Sequence, residues 1–190
     1  AMYDWANSVY NLVITTTFFP AYYAAVTDAK ENPEFSKGVS FLGRSFVNTE
    51  LKDYFLAAGF LLIALFSPLL SSIADYKGNK KQFMRFFCYL GAASCSMLFF
   101  FDKSNVITGL FLFMLAGIGF YGSQVFYNSY LPEIAEEPER DRLSAMGYSY
   151  GYIGSVLMQM IGFVLVMQME DKQLALQITF LLVEIGRAHV

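Results

Sequence analysis

The sequence predicts an all-α polytopic membrane protein with five complete spanning helices and a sixth cut short. Two observations carry that prediction. The 190 residues are 56% hydrophobic and only 15% charged, against roughly 45–50% and 25% in soluble chains. The few charges are also bunched, leaving uncharged stretches of 23 residues (5–27), 21 (54–74), 16 (86–101), 29 (104–132) and 27 (143–169). About 20 apolar residues suffice for a helix to cross the roughly 30 Å hydrocarbon layer, so the lipid bilayer is the first partner implied.

Each stretch then becomes an element. The first helix covers about 5–26 and holds Pro20, which membrane helices tolerate where neighbours repair the lost backbone bond. Residues 27–53 form a mixed-charge loop with Pro33, Gly38 and Gly43. A second helix over about 54–74 ends in a tight polar turn, 75–81. The third covers about 82–101, with Arg85 near enough to its end to snorkel. The Asp102-Lys103-Ser104 turn is so short that the third and fourth helices must be antiparallel neighbours. The fourth covers about 105–130 and is followed by an acidic segment, 133–142. The fifth covers about 144–168, and Glu170-Asp171-Lys172 leads into a sixth apolar run, 173–183, of only 11 residues.

Both ends read as cut. The chain opens on Ala1 rather than Met, and the last seven residues, 184–190, break the sixth run. Those seven resemble the translation of a sequencing-adapter oligonucleotide. On that reading residues 1–183 are the native helix bundle, 184–190 are a non-native tail, and His189, the only histidine, carries no function. The alternative is a genuine short polar tail.

Several classes fall away. A net charge of −3 with no basic face leaves no footprint for nucleic acid. Long apolar runs and 18% aromatic residues exclude disorder. Cys88 and Cys95 lie seven apart on one helix, about 10 Å along its axis, too far for a disulfide. They read as small packing residues. The first run lacks a basic leader and a cleavage site, so it is not a signal peptide. With no histidine outside the tail and no carboxylate deep in a span, no catalytic or metal-ligating set is legible, and no cofactor is expected.

Orientation follows from the bias of Lys and Arg towards cytoplasmic loops. Lys77, Lys80, Lys81 and Arg85 follow the second helix, and Arg140 and Arg142 follow the fourth. The turns after the third and fifth hold Lys103 and Lys172. The N-terminus, the 75–81 turn and the 133–142 segment are therefore expected in the cytoplasm.

Polar residues inside a span cost free energy unless they find partners or water. On the first helix Asn7, Asn11 and Thr15 recur at i, i+4 and i+8, with Asp4 three residues before. On the fourth, Tyr121, Gln124 and Asn128 recur at i, i+3 and i+7. Each set shares a helix face. Two stripes at matching depth suggest a wet substrate cavity between the helices; the alternative is interhelical hydrogen-bond glue, worth about 1 kcal/mol. Gly147, Gly151 and Gly154 make a small-residue strip on the fifth helix, suited to close packing or to a sliding surface.

The turn Ser71-Ser72-Ile73-Ala74-Asp75-Tyr76-Lys77-Gly78-Asn79-Lys80-Lys81 resembles the signature between helices two and three of the major facilitator superfamily. Asp75, Gly78, Lys80 and Lys81 match, whereas Ser71, Tyr76 and Asn79 depart from the usual Gly, Arg and Arg. Tyr3-Asp4-Trp5-Ala6-Asn7-Ser8, the segment 126–135 and the segment 147–155 are together similar to the vacuole-effluxer-like branch, whose fungal members export amino acids from the vacuole. The resemblance covers about residues 1–183. It implies the N-terminal six-helix half of a twelve-helix fold built from inverted repeats, with the C-terminal half as the missing partner. It also implies that helices one and four line the cavity. Asp75, Gly78, Lys80, Lys81 and Arg85 would then form a conformational gate, with Asp75 accepting hydrogen bonds from the other half. The fifth helix has no proline after Gly151, so the family's antiporter signature is absent.

The leading functional reading is a secondary carrier for a small polar solute, set in the plasma or inner membrane. A membrane-embedded packing or receptor protein is the alternative if the stripes are dry, and an intramembrane enzyme is the weaker one.

Overall fold

A computed structural model describes residues 2–188. The described chain is helical apart from one small hairpin. Four of its helices are long and apolar enough to cross a membrane by length and composition.

The first helix is continuous but changes register. It runs as α1 (Met2–Val9), a π-helical stretch (Tyr10–Phe18) and α2 (Phe19–Val26). Pro20 explains the change. It offers no N–H, and its ring would crowd the carbonyl four residues back in an α-helix. The wider π turn relieves both problems: the Phe19 N–H reaches the Ile14 carbonyl, five residues back. Thr16 and Thr17 follow the same step, donating their hydroxyls to the carbonyls of Asn11 (2.7 Å) and Leu12 (2.9 Å). This helix sits at the centre of the bundle, where Tyr10, Val13, Ile14, Phe18, Phe19, Tyr22 and Tyr23 are all buried. Phe19 stacks on Phe113 with ring centroids 3.9 Å apart.

The long first loop is more ordered than its mixed charge suggests. β1 (Val39–Phe41) pairs antiparallel with β2 (Arg44–Phe46) through a two-residue turn. Leu42 and Gly43 both take positive φ there, 50° and 76°, as a type I′ hairpin turn requires.

α3 (Asn48–Lys77) starts earlier and ends later than the expected 54–74. It stops at Gly78, whose φ of 66° places it in the left-handed region and lets its N–H cap the carbonyls of Ala74 and Asp75. α4 (Lys80–Met97) extends through a short 3-10 turn, Leu98–Phe100. The next turn is stapled by Asp102, which accepts the Ser104 N–H (2.7 Å) and hydroxyl (2.6 Å). Those donors hold the Asp102 carboxyl below its ordinary pKa. α5 (Val106–Asn128) returns antiparallel to α4, followed by the single turn α6 (Leu131–Ile134).

α7 (Glu137–Gln168) begins inside the acidic segment expected to be a loop, because Pro138 and acidic residues suit a helix's first turn. Lys172 closes its far end, donating to the carbonyls of Val166 (2.6 Å) and Met169 (2.8 Å). α8 (Lys172–Ala188) continues the sixth run well beyond position 183. His189 lies outside the described residues.

Packing follows small residues. α5 meets α4 so closely that a Cβ on Gly119 would fall 2.4 Å from the Gly91 Cα. α7 lies along α1, with Gly147 against Asp4, Gly151 against Ser8 and Gly154 against Trp5. Cys95 is buried and donates its thiol to the Phe180 carbonyl of α8 at 3.8 Å, while Cys88 contacts the Tyr3 hydroxyl at 3.7 Å. α3 covers one side of α5, and its other faces leave Leu61, Leu65 and Leu69 exposed. Bare apolar rows of this kind are expected where a helix meets lipid or another helical half.

Candidate functional site

A polar groove runs between the first helix, α5 and α7. Its wider part, about 280 Å³, is lined by Ser8, Asn11 and Thr16 from the first helix, Tyr121 and Gln124 from α5, and Tyr148 and Tyr152 from α7. A narrower part, about 90 Å³, adds Asp4, Tyr127, Asn128 and Gly147. Gln124 and Tyr148 belong to both.

Hydrogen bonds tie the walls together. The Tyr121 hydroxyl donates to the Asn11 side-chain carbonyl at 3.1 Å. The Tyr127 hydroxyl donates to Asp4 Oδ2, and Tyr3 stacks on the Tyr127 ring at 4.3 Å. Higher on the first helix, Gln159 of α7 donates to the Thr17 hydroxyl at 3.2 Å. A Cβ on Gly147 would fall 2.7 Å from Asp4 Oδ2, so the bare glycine is what lets α7 approach that carboxylate.

Of the seven residues expected at a cavity, Asp4, Asn11, Tyr121, Gln124 and Asn128 line this groove. Asn7 and Thr15 line neither part. Asn7 is buried at 1% exposure, and both of its amide atoms, like the Thr15 hydroxyl, are buried without a hydrogen-bond partner. Asn7 lies on α1, before the π stretch, and is turned into the packed bundle. From Tyr10 onward the repeat lengthens to i→i+5, which sets Thr16, five residues after Asn11, beside it. Thr16, off the expected stripe, enters the groove instead.

Sequence reading also passed over Tyr127, Tyr148 and Tyr152. Tyr127 lay within reach of inspection, three positions beyond Gln124 on the same face. The two α7 tyrosines do recur at i and i+4, but each directly follows a glycine of that helix's packing strip and reads as part of it.

A second cluster lies at the end of the bundle that holds the 75–81 turn. The Lys80 ammonium is 2.9 Å from Asp75 and 2.6 Å from Glu133. Asp75 was expected to wait for donors from an absent half; here its carboxylate already pairs within the chain. Arg140 donates to the carbonyls of Ala135 (3.1 Å) and Pro132 (3.3 Å), fixing the segment that presents Glu133. Lys81 and Arg85 are exposed on α4 and stand outside the Asp75–Lys80–Glu133 set.

Comparison with known proteins fits this architecture. The uncharacterized MFS-type transporter YxiO of Bacillus subtilis is 35% identical over 156 residues, 82% of this chain and 34% of the relative. Autophagy-related protein 22 of Neurospora crassa is 30% identical over 115 residues, 60% of this chain and 16% of the relative. An uncharacterized protein of Aquifex aeolicus is 25% identical over 159 residues, 83% of this chain and 35% of its own length. The chain thus spans at most about a third of the length of these relatives. No solved structure matches it. The class so defined is that of multi-pass integral membrane proteins of the major facilitator type. Within that class, the chain belongs to the family described as "Vacuole effluxer Atg22 like", whose profile matches residues 1–186.

Proposed function

We propose that this chain is most of the N-terminal half of a secondary carrier that moves a small polar solute by alternating access. One observation carries the reading. In a bundle whose core is aromatic and aliphatic, the amides and hydroxyls of Asn11, Tyr121 and Gln124 gather on a groove that stays open. Tyr121 and Asn11 bond to each other across the helices, as glue would. The groove beside that pair nevertheless stays open with Gln124 on its wall, and this opening supports the carrier reading. The second half of the same polypeptide supplies the opposing wall, and the two halves rock about the groove. The Asp75–Lys80–Glu133 cluster holds the N-terminal half rigid at the end where the halves must part and meet. The N-terminus and this cluster face the cytoplasm of a plasma or inner membrane, in keeping with the basic residues of the 75–81 turn. Amino acids are the first solutes to screen.

The test is solute uptake by the complete carrier reconstituted in vesicles, with Gln124→Leu as its partner variant. Uptake that saturates, and falls at least tenfold in the variant, is the expected outcome. Absence of uptake for every polar solute of amino-acid size would remove the carrier reading.

A further inference from the structure

We propose that Lys81 and Arg85 form a binding site for the phosphate group of an anionic phospholipid on the outer face of α4. The inference stands on the membrane-spanning fold and goes beyond the carrier reading, which gives these two residues no part.

α4 has two distinct faces. Phe87, Gly91, Ser94 and Cys95 are buried and hold it against its neighbours: Gly91 meets Gly119 of α5, and Cys95 donates to the Phe180 carbonyl of α8. Lys81, Gln82, Arg85, Phe86 and Tyr89 are exposed on the opposite side. At 3.6 residues per turn, Lys81, Arg85 and Tyr89 stand one above another there. Lys80–Phe100 is long and apolar enough to span a bilayer. Lys81 and Arg85 therefore sit near the edge of the hydrocarbon layer, while Phe86, Tyr89, Met97 and Phe100 stay exposed along the rest of the span. No described residue of α4 lines either part of the polar groove, so this face is turned to lipid and not to the wall across the groove.

Charge supplies the chemistry of the ligand. Lys80 is engaged by Asp75 and Glu133. Among the described residues, Lys81 and Arg85 make no ion pair or hydrogen bond. Like charges four residues apart on a helix repel, and an anion seated between them relieves that repulsion. Arginine presents a planar fork that fits phosphate oxygens bidentately, and lysine adds a point charge on a flexible stem. Both stems can lie along apolar surface while their charged ends reach the headgroup level. The acyl chains of the same lipid then meet Phe86, Tyr89 and Met97 along the helix. Anionic lipids give the cytoplasmic leaflet its negative potential, and the Lys and Arg bias favours that side for this end of α4. Phosphatidylcholine carries its own cation beside its phosphate, so the basic pair favours a lipid with net negative charge.

Three probes test the site: dioleoyl phosphatidylglycerol, dioleoyl phosphatidylcholine and inorganic phosphate. Each is titrated against the purified complete protein in detergent, with the unfolding temperature as readout. Phosphatidylglycerol should raise that temperature saturably, with at least tenfold higher affinity than phosphatidylcholine, and inorganic phosphate should leave it unchanged. Lys81→Gln combined with Arg85→Gln should weaken the phosphatidylglycerol response at least tenfold. Lys30→Gln combined with Lys103→Gln removes two exposed charges from the other end of the bundle and should leave the response intact. Equal affinity for the two lipids, no response to phosphatidylglycerol, or a phosphate response that matches it would each overturn the assignment. So would an unaltered response in the Lys81/Arg85 variant, or an equal loss in the control. If the Lys81/Arg85 variant fails to fold, a photoactivatable phosphatidylglycerol decides on the unmodified protein. It should label residues 81–97, and labelling confined to other helices would remove the site. Solute uptake tests the carrier reading separately, since binding of this lipid neither requires transport nor implies it.

Discussion

Lys80 and Glu133 stand 53 positions apart in sequence, yet the lysine ammonium lies 2.6 Å from the glutamate carboxylate. The pair joins the α3–α4 turn to the segment that follows α5, and Asp75 completes it from the end of α3 at 2.9 Å. Three helices that could slide past one another are thereby tied at one end. The two acids are more than half exposed, at 59% and 51%, so this cluster counts more for alignment than for stability.

Lys80→Met should therefore leave the unfolding temperature nearly unchanged and still slow solute uptake several-fold, with Lys80→Arg retaining most of the rate. Parallel measurements of thermal unfolding and initial uptake rate check this. A large drop in unfolding temperature with normal uptake of the surviving protein would show that the cluster is a structural clamp only.

Gly119→Val should be among the most damaging single changes in the bundle. Its Cβ would fall 2.4 Å from both the Cα and N of Gly91, and backbone cannot step aside as a side chain can. Overpacking of this kind costs about 1–3 kcal/mol or more. Gly59→Ala is the matched control: its Cβ would meet the flexible Met114 Cγ at 3.2 Å. Thermal unfolding of the two variants in detergent should separate them clearly, and equal behaviour would contradict the close approach of α4 and α5.

Tyr22→Phe should loosen α8 from the rest of the bundle. The buried Tyr22 hydroxyl donates to the Phe101 carbonyl and accepts from the side chains of Gln173 (3.0 Å) and Gln177 (2.8 Å). Removing that one oxygen costs the Gln173 amide its acceptor, while Gln177 keeps the Phe101 carbonyl at 3.0 Å, a net loss of about 0.5–1.5 kcal/mol. Faster hydrogen exchange in α8 with little change in α3 is the expected signature. Uniform acceleration across all helices would argue against a local role.

Tyr121→Phe and Asn11→Ala should be strongly non-additive, since each removes the same 3.1 Å hydrogen bond. On the carrier reading both raise the KM for solute more than they lower its maximal rate. A double-mutant cycle on uptake checks this, and full additivity would show that the two side chains act separately.

The helices were legible because apolar stretches bounded by charge are a property of the linear chain. Their ends were less so. α7 reaches back to Glu137 because the acidic residues before Leu143 serve as its first turn, a role that composition shares with loops. The hairpin at Val39–Phe46 was hidden by strands of three residues, too short for any alternation to register. At the site, Asn11, Gln124 and Asp4 stood out because polar groups are rare in spans, whereas Tyr127 and Tyr148 pass for ordinary interfacial aromatics.

By itself the sequence determined that this chain crosses a bilayer repeatedly, since the transfer of apolar side chains from water depends on what each segment contains and hardly on its neighbours. Only the tertiary structure decided which polar atoms meet. Packing of α1 against its neighbours buries Asn7, the π register of Tyr10–Phe18 brings Thr16 into the groove, and Glu133 finds Lys80 only when α5 folds back on α4. Helix rotation and long-range pairing depend on every packed residue at once. The direction of a single side chain is therefore settled by the whole bundle and not by its local spacing.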